Sequence, residues 1–150
     1  MSKNRALYEQ VILDHNKSPR NYGVMDDPDL HADGYNALCG DQFTVYLKMD
    51  GDVIEDMRFD GSGCAISKSS ASVMTTLLKG KTKDEAQALF AQFKDMITSE
   101  VDSPLDEEAL GKLKVFGGVR EYPVRIKCAT LAWHTLASAL EGDDEAVSTE

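Results

Sequence analysis

Cysteine is scarce in this sequence, with three residues in 150, and an odd number argues against a framework of internal disulfides. Basic residues are also few, since 16 Lys and Arg stand against 26 Asp and Glu for a formal net charge of −10. This balance argues against nucleic acid or an anionic membrane surface as the main partner, because both attract clustered positive charge.

Long apolar runs are absent as well. No segment approaches the roughly 18–20 residues that span a bilayer, and the first ten residues lack the apolar core of a signal peptide. We therefore expect a cytoplasmic protein. A chain of this length buries roughly 68–70% of the surface that its unfolded form exposes. We predict one domain over residues 1–150, with an acidic tail at 142–150 that frays.

Alternating side chains predict a small antiparallel sheet. Residues 42–49 alternate between apolar and polar, and the dipeptide at 50–51, Asp-Gly, is a strong hairpin signal. Residues 53–60 then return as the partner strand, and an extended segment near 33–38 is a candidate third strand.

Helical periodicity and caps predict the remaining elements. Helices are expected over residues 4–16 and 65–79 and from Pro123 to about Glu141. Another helix is expected to begin at a capping box formed by Thr82 and Glu85. Residues 99–111 read as a connection with a short helix, and Gly117-Gly118 as a break before the last helix. Strands and helices in this order predict the α+β class.

The charge is unevenly distributed along the chain. Residues 111–130 carry five basic side chains and one acidic one, so they form a positive segment in an acidic protein. One interpretation is an ordinary solvated helix face. The other is a local field beside Cys128 that stabilises a thiolate or steers a partner.

The cysteines lie where ionisation of a thiol is favoured. Cys39 and Asp41 flank Gly40 directly before a predicted strand, so both side chains can point to one place. Cys64 opens a predicted helix, whose dipole favours a thiolate. Cys128 follows two basic residues in the last helix.

Spacing alone leaves the role of these residues open. Three thiolates and a carboxylate suit tetrahedral zinc, but the chain has no C-x-x-C pair. The alternative is that Cys64 and Cys128 are buried core thiols and that Cys39 is an isolated loop thiol.

Four motifs occur in order along the chain: Y-x-x-V-x-x-D-H-x-x-x-P-R-N-x-G at residues 8–23, C-G-D at 39–41, G-C at 63–64 and P-V-R-I-K-C at 123–128. Together they resemble the U-type iron–sulfur assembly proteins, the group of IscU, NifU and SufU. In the IscU branch a His directly precedes the third cysteine, whereas this chain has Lys127 there. The segments 61–67 and 128–133 look like the SufU branch.

The resemblance implies both a fold and a function. The fold is a three-stranded antiparallel sheet with about five to six helices, the SufE/NifU fold. The SufU branch is implied to bind zinc through Cys39, Asp41, Cys64 and Cys128. It is implied to act as a sulfurtransferase that accepts persulfide sulfur from a pyridoxal-phosphate-dependent cysteine desulfurase of the SufS type. A downstream iron–sulfur scaffold complex would receive that sulfur.

Two residues are candidates for the chemistry itself. Cys39 is the predicted sulfur acceptor, because it lies on a loop while the other two cysteines lie on helices. Arg125 precedes Cys128 by about one helical turn and could stabilise a thiolate there, or it is an ordinary surface arginine.

Three other functions compete with the sulfur acceptor. An iron–sulfur scaffold would assemble a cluster on the same cysteines. A zinc hydrolase or deaminase needs an open coordination position and a general base, and the deaminase pattern H-x-E with P-C-x-x-C is absent. A purely structural zinc domain would need no reactive thiol.

Overall fold

The chain folds as an antiparallel sheet with helices packed against it. The computed structural model describes residues 2–100, 103–104, 107–142 and 147–148. The elements in chain order are α1 (Ser2–Lys17), β1 (Leu30–Asn36), β2 (Asp41–Asp50), β3 (Val53–Ser62), α2 (Ala65–Leu78), α3 (Lys83–Ile97), α4 (Glu107–Leu110), a 3-10 helix (Gly111–Glu121), α5 (Pro123–Glu141) and β4 (Val147–Ser148).

Strand β2 lies between its two antiparallel neighbours and organises the sheet. Val45 is opposite Ala32 of β1 and Phe59 of β3, and all three side chains are buried. The predicted α+β class and the antiparallel three-stranded sheet are confirmed. The first strand begins earlier than predicted and ends at Asn36, because the chain turns over residues 37–40 to enter β2.

Helices α2 and α5 pack together through small and polar side chains. The Ser70 hydroxyl donates to the carbonyl of Ala129 at 2.5 Å and accepts from the indole Nε1 of Trp133 at 3.3 Å. Trp133 is fully buried and stacks on Phe90 of α3. The short serine side chain lets the helices approach closely, and this packing fixes α5 relative to the sheet.

The segment before α5 differs from the prediction. Instead of breaking at Gly117-Gly118, the chain continues through both glycines as the 3-10 helix. Leu113, Phe116 and Val119 are all buried, and their spacing matches the period of about three residues per turn of a 3-10 helix. Burial of this apolar stripe outweighs the low helix propensity of the glycines.

The positive segment 111–130 does not act as one field at Cys128, because two of its five basic residues, Lys112 and Arg120, interact with other parts of the chain. The Arg120 guanidinium donates to the Ser99 hydroxyl at 2.9 Å and to the Glu100 carbonyl at 2.8 Å. Lys112 lies near enough to α1 to affect the pKa of His15. Arg120 therefore interacts with the residues that follow α3, and Lys112 lies near α1.

The chain end is described only in part. Gly142 ends α5 in the left-handed conformation, with a φ of 72°. Of the tail predicted to fray, residues 143–146 and 149–150 lie outside the described residues, whereas Val147–Ser148 pairs in parallel with β1. No helix in the described part of the chain is long and apolar enough to cross a membrane.

A buried histidine connects the end of α1 to α2. His15 is 1% exposed, and its Nδ1 lies 2.7 Å from the hydroxyl oxygen of Ser72, which also accepts the backbone N–H of Arg20 at 2.8 Å. Burial lowers the pKa of His15, and the positive charges of Arg20 and Lys112 lower it further, against an opposing effect of Asp14. The folded chain therefore favours the neutral ring.

This histidine predicts a loss of stability in mild acid. Because the pKa of His15 is lower in the folded chain, the unfolded chain binds more protons as the pH falls below the ordinary histidine pKa of about 6.5. We expect the free energy of unfolding to fall across that range, and less steeply in His15→Asn. Urea denaturation of the chelator-treated chain at several pH values measures both slopes. His31→Asn, at an exposed position, is the control. Equal slopes for His15→Asn and the parent chain would contradict the prediction.

Candidate metal centre

The hairpin between β1 and β2 carries the first two residues of the site. Cys39 lies in the turn over residues 37–40 and is half-buried, while Asp41 is the first residue of β2 and is 2% exposed. Gly40 between them has a φ of 70°, a left-handed conformation that glycine adopts without strain. The two side chains converge as predicted, but through a turn and not through an extended backbone.

Cys64 is held at the start of α2. It is the N-cap residue of this helix, and its sulfur accepts the backbone N–H of Ser67 at 3.5 Å. Its own backbone N–H donates to Oδ1 of Asp41 at 2.8 Å. The prediction that Cys64 opens a helix is confirmed, and the shared hydrogen bond ties the α2 terminus to the hairpin.

Cys128 enters the site from α5. Its Sγ lies 2.8 Å from Sγ of Cys39, beyond the S–S bond length of about 2.05 Å, and all three cysteines are free thiols. The ligand atoms of Cys39, Asp41 and Cys128 lie within 4.8 Å of one another. The sulfur of Cys64 is not a member of this group, although its backbone binds Asp41.

The surroundings of Cys128 oppose its ionisation. Burial raises the pKa of the Cys128 thiol well above its usual range, and the hydrogen bond with Cys39 and the negative charges of Cys64 and Asp41 raise it further. The expectation that neighbouring basic residues favour this thiolate is therefore wrong. Arg125 and Lys127 both lie on the exposed side of α5, whereas the sulfur is fully buried.

One polar atom of the site has no partner among the residues that the structure describes. Asp41 Oδ2 is buried and accepts no hydrogen bond from them, while Oδ1 accepts the backbone N–H of Cys64. A buried carboxylate oxygen without a partner is costly, unless a cation binds it. Sulfur and carboxylate ligands together suit zinc or iron, and a cation among them also reverses the repulsion that opposes thiolate formation. The residues present therefore fit a metal ion.

The surface next to the site is both apolar and positive. Leu38, Tyr122 and Val124 are between 53% and 69% exposed. Arg125 is exposed in the first turn of α5, and its guanidinium makes no hydrogen bond or ion pair within the described ranges. It can meet a partner, but its role in the chemistry stays a prediction.

One buried residue of the site was missed by the sequence reasoning. Asn36 is fully buried at the end of β1, and its Nδ2 lies 3.8 Å from Sγ of Cys128. The available signal was an asparagine three residues before a predicted ligand, at the boundary between a strand and a turn.

Known proteins are similar to this chain in both sequence and fold. The family model of the NifU-like N-terminal domain matches residues 7–140. The zinc-dependent sulfurtransferase SufU of Bacillus subtilis is 43% identical over 93% of this chain and 92% of its own length. The iron–sulfur cluster assembly scaffold protein IscU of Streptococcus pyogenes is 40% identical over 94% of this chain and 87% of its own.

A solved structure extends the similarity to three dimensions. A candidate iron–sulfur cluster assembly scaffold protein of the SUF system from Fervidobacterium islandicum superposes with a TM-score of 0.81 and 38% identity. The superposition covers 91% of this chain and 98% of that one. Since the family model matches residues 7–140, which include all three cysteines and strands β1 to β3, the chain belongs to the family of NifU-like N-terminal domains.

Proposed function

We propose that this protein acts in iron–sulfur cluster assembly as a zinc-bound sulfur acceptor. It takes persulfide sulfur from a pyridoxal-phosphate-dependent cysteine desulfurase of the SufS type and passes it to a downstream scaffold complex. Cys39 is the acceptor, and Cys39, Asp41, Cys64 and Cys128 hold the metal. The similarity to a zinc-dependent sulfurtransferase over most of both chains supports this proposal.

The observation that carries the proposal is the position of Cys39. It is a half-buried thiol on a turn, next to a fully buried thiol and a buried carboxylate oxygen that has no hydrogen-bond partner within the described part of the chain. The other two cysteines lie at a helix start and inside a helix, and Cys128 is fully buried. Cys64 is half-buried as well, but Cys39 differs from both other cysteines in lying on a turn outside the helices, which makes it the thiol best placed to move toward a partner.

The transfer reaction needs no external oxidant. The Cys39 thiolate attacks the terminal sulfur of the desulfurase persulfide, and a new S–S bond forms while the old one breaks. The electron pair of the broken bond stays on the desulfurase cysteine, which leaves as a thiolate. One persulfide is consumed and one is formed on Cys39.

Cys39, Asp41, Cys64 and Cys128, which come from the hairpin, the start of α2 and α5, would hold zinc, and zinc would keep the sulfurs deprotonated and stabilise the fold. The chain supplies the geometry for this: Asp41 is fixed by the Cys64 amide, and Cys128 is buried under the turn of Cys39. The exposed Leu38, Tyr122 and Val124 exclude water from that turn when a partner covers them.

Mapping the transferred sulfur tests the proposal. Trypsin separates the three cysteines into the peptides 21–48, 59–68 and 128–150. After incubation with desulfurase and cysteine, we expect the mass of one added sulfur on peptide 21–48. Cys39→Ala is expected to reduce sulfur acceptance to the level seen without the chain, because Cys64 and Cys128 are held at a helix start and inside a helix. Gln42→Ala, at an exposed position of the same hairpin, is expected to accept sulfur normally. Sulfur found mainly on either other peptide would contradict the role of Cys39.

An iron–sulfur scaffold is the second candidate, and the IscU relative supports it. Lys127 argues against it, because a protonated lysine cannot act as the ligand that the IscU histidine provides. Anaerobic reconstitution with iron and sulfide separates the two functions. A stable coloured cluster on the three cysteines would favour the scaffold, whereas zinc that resists replacement would favour the acceptor.

A further inference from the structure

Asn36 links the separate parts of the metal centre. It is the last residue of β1, pairs with Asp41 of β2, and has no exposed surface. Its backbone carbonyl accepts the N–H of Cys39 at 3.3 Å, and its side-chain Oδ1 accepts the N–H of Leu38 at 3.2 Å. Both hydrogen bonds stabilise the turn that carries Cys39.

The other half of the carboxamide faces α5. Nδ2 of Asn36 lies 3.8 Å from Sγ of Cys128, within hydrogen-bonding distance for a sulfur acceptor. An asparagine side chain has two N–H donors and one carbonyl acceptor, so it can serve the turn and the sulfur at the same time. A leucine of similar size in this buried position would fill the space but provide neither interaction.

This arrangement matters because the Cys128 sulfur is fully buried, 2.8 Å from the Cys39 sulfur and within 4.8 Å of an Asp41 carboxylate oxygen. Arg125 and Lys127 lie on the exposed side of the helix. A hydrogen bond donated to an ionised acceptor is stronger than one to a neutral acceptor. The Asn36 carboxamide thus provides a neutral N–H donor within hydrogen-bonding distance of the buried Cys128 sulfur.

We propose that Asn36 is a positioning residue of the metal centre, which donates Nδ2–H to the Cys128 thiolate and holds the Cys39 turn through Oδ1. The inference rests on the proposed metal-binding function. Partners of this kind orient metal ligands, and their loss typically weakens metal binding by about 10–100-fold.

Two substitutions separate the two halves of the side chain. Asn36→Asp keeps an acceptor for the Leu38 N–H but replaces the donor with a negative charge next to the sulfur. Asn36→Leu removes both interactions. We expect both variants to bind zinc at least about tenfold more weakly than the parent chain, as measured by competition with a chromophoric chelator. Gln42→Ala, on the same hairpin but exposed, is expected to bind as the parent chain does.

A spectroscopic readout distinguishes a change in the electron density on the Cys128 sulfur from a general loss of stability. When cobalt replaces zinc, the sulfur-to-metal charge-transfer band reports electron density on the thiolates. Loss of the donor to Cys128 is expected to shift this band in Asn36→Asp and Asn36→Leu, but not in Gln42→Ala. Parental affinity and an unshifted band in Asn36→Asp would overturn the inference.

A measurement on the parent chain covers the case in which a variant does not fold. With ¹¹³Cd in the site, a donated N–H···S bond is expected to give scalar coupling between the metal and a side-chain amide proton of Asn36. Absence of that coupling in a loaded, folded chain would overturn the inference. Failure of the parent chain to bind zinc, cobalt or cadmium would instead contradict the proposed function.

Discussion

Zinc is expected to raise the thermal midpoint of the chelator-treated chain by roughly 8–16 °C when free zinc is about a thousandfold above its dissociation constant. A ligand at that excess stabilises the folded state by about 4 kcal/mol, and each kcal/mol shifts the midpoint of a chain of this size by about 2–4 °C. The structural reason is that two thiols and a carboxylate, those of Cys39, Cys128 and Asp41, lie within 4.8 Å of one another, with the backbone of Cys64 bound to the same carboxylate. Scanning calorimetry with and without zinc measures the shift.

The matched control for zinc is magnesium. Magnesium prefers oxygen ligands and binds thiolates poorly, so it is expected to leave the midpoint unchanged. Cys128→Ser is expected to lose most of the zinc effect, because a serine hydroxyl stays protonated. An equal shift with magnesium, or an undiminished zinc effect in Cys128→Ser, would contradict binding at this site.

Gly63→Ala is expected to have the second large effect, a loss of about 1–3 kcal/mol in the free energy of unfolding. A methyl group at this position would lie 2.5 Å from the Ser67 hydroxyl oxygen, 2.7 Å from Asp41 Oδ1 and 2.9 Å from a ring carbon of Phe43. These distances are too short for a carbon atom. Because Phe43 is fully packed in the core, the displacement is expected to fall largely on Asp41 and its hydrogen bond with Cys64.

The effect of Gly63→Ala has two readouts. Urea denaturation of the chelator-treated chain gives the packing cost, and zinc competition gives the additional loss that follows from moving Asp41. Gly118→Ala is the matched control, since a methyl group there has no neighbour within 4 Å. It is expected to match or slightly exceed the stability of the parent chain. Parental stability and zinc affinity in Gly63→Ala would show that the packing around Asp41 is less tight than the structure describes.

Several elements could be predicted from the sequence because their causes are local. The capping box of Thr82 and Glu85 is present with both hydrogen bonds, and Gly142 ends the last helix as expected. The alternation over residues 42–49 identifies β2, whose apolar residues from Phe43 to Leu47 are buried. Caps, turns and side-chain alternation act over a few residues, so a single sequence contains them.

Other features depend on neighbours that are distant along the chain. The 3-10 helix through Gly117 forms because its apolar stripe is buried against other elements, which local propensity does not reveal. The positive segment 111–130 separates in space because Arg120 binds the end of the α3 region while Arg125 remains exposed. Charge counted along the sequence therefore overstated the field at Cys128.

The sequence by itself determined the chemical class of the site, through three cysteines and an aspartate in motifs that resemble a known family. It also placed Cys64 at a helix start and Cys39 outside the regular elements. Only the tertiary structure decided which groups meet. Cys39 and Cys128 are 89 residues apart in sequence, and their sulfurs come together because α5 packs across β1 and β2. That packing also buries Cys128 and places Asn36 beside it, since burial is a property of the assembled core and not of any one segment.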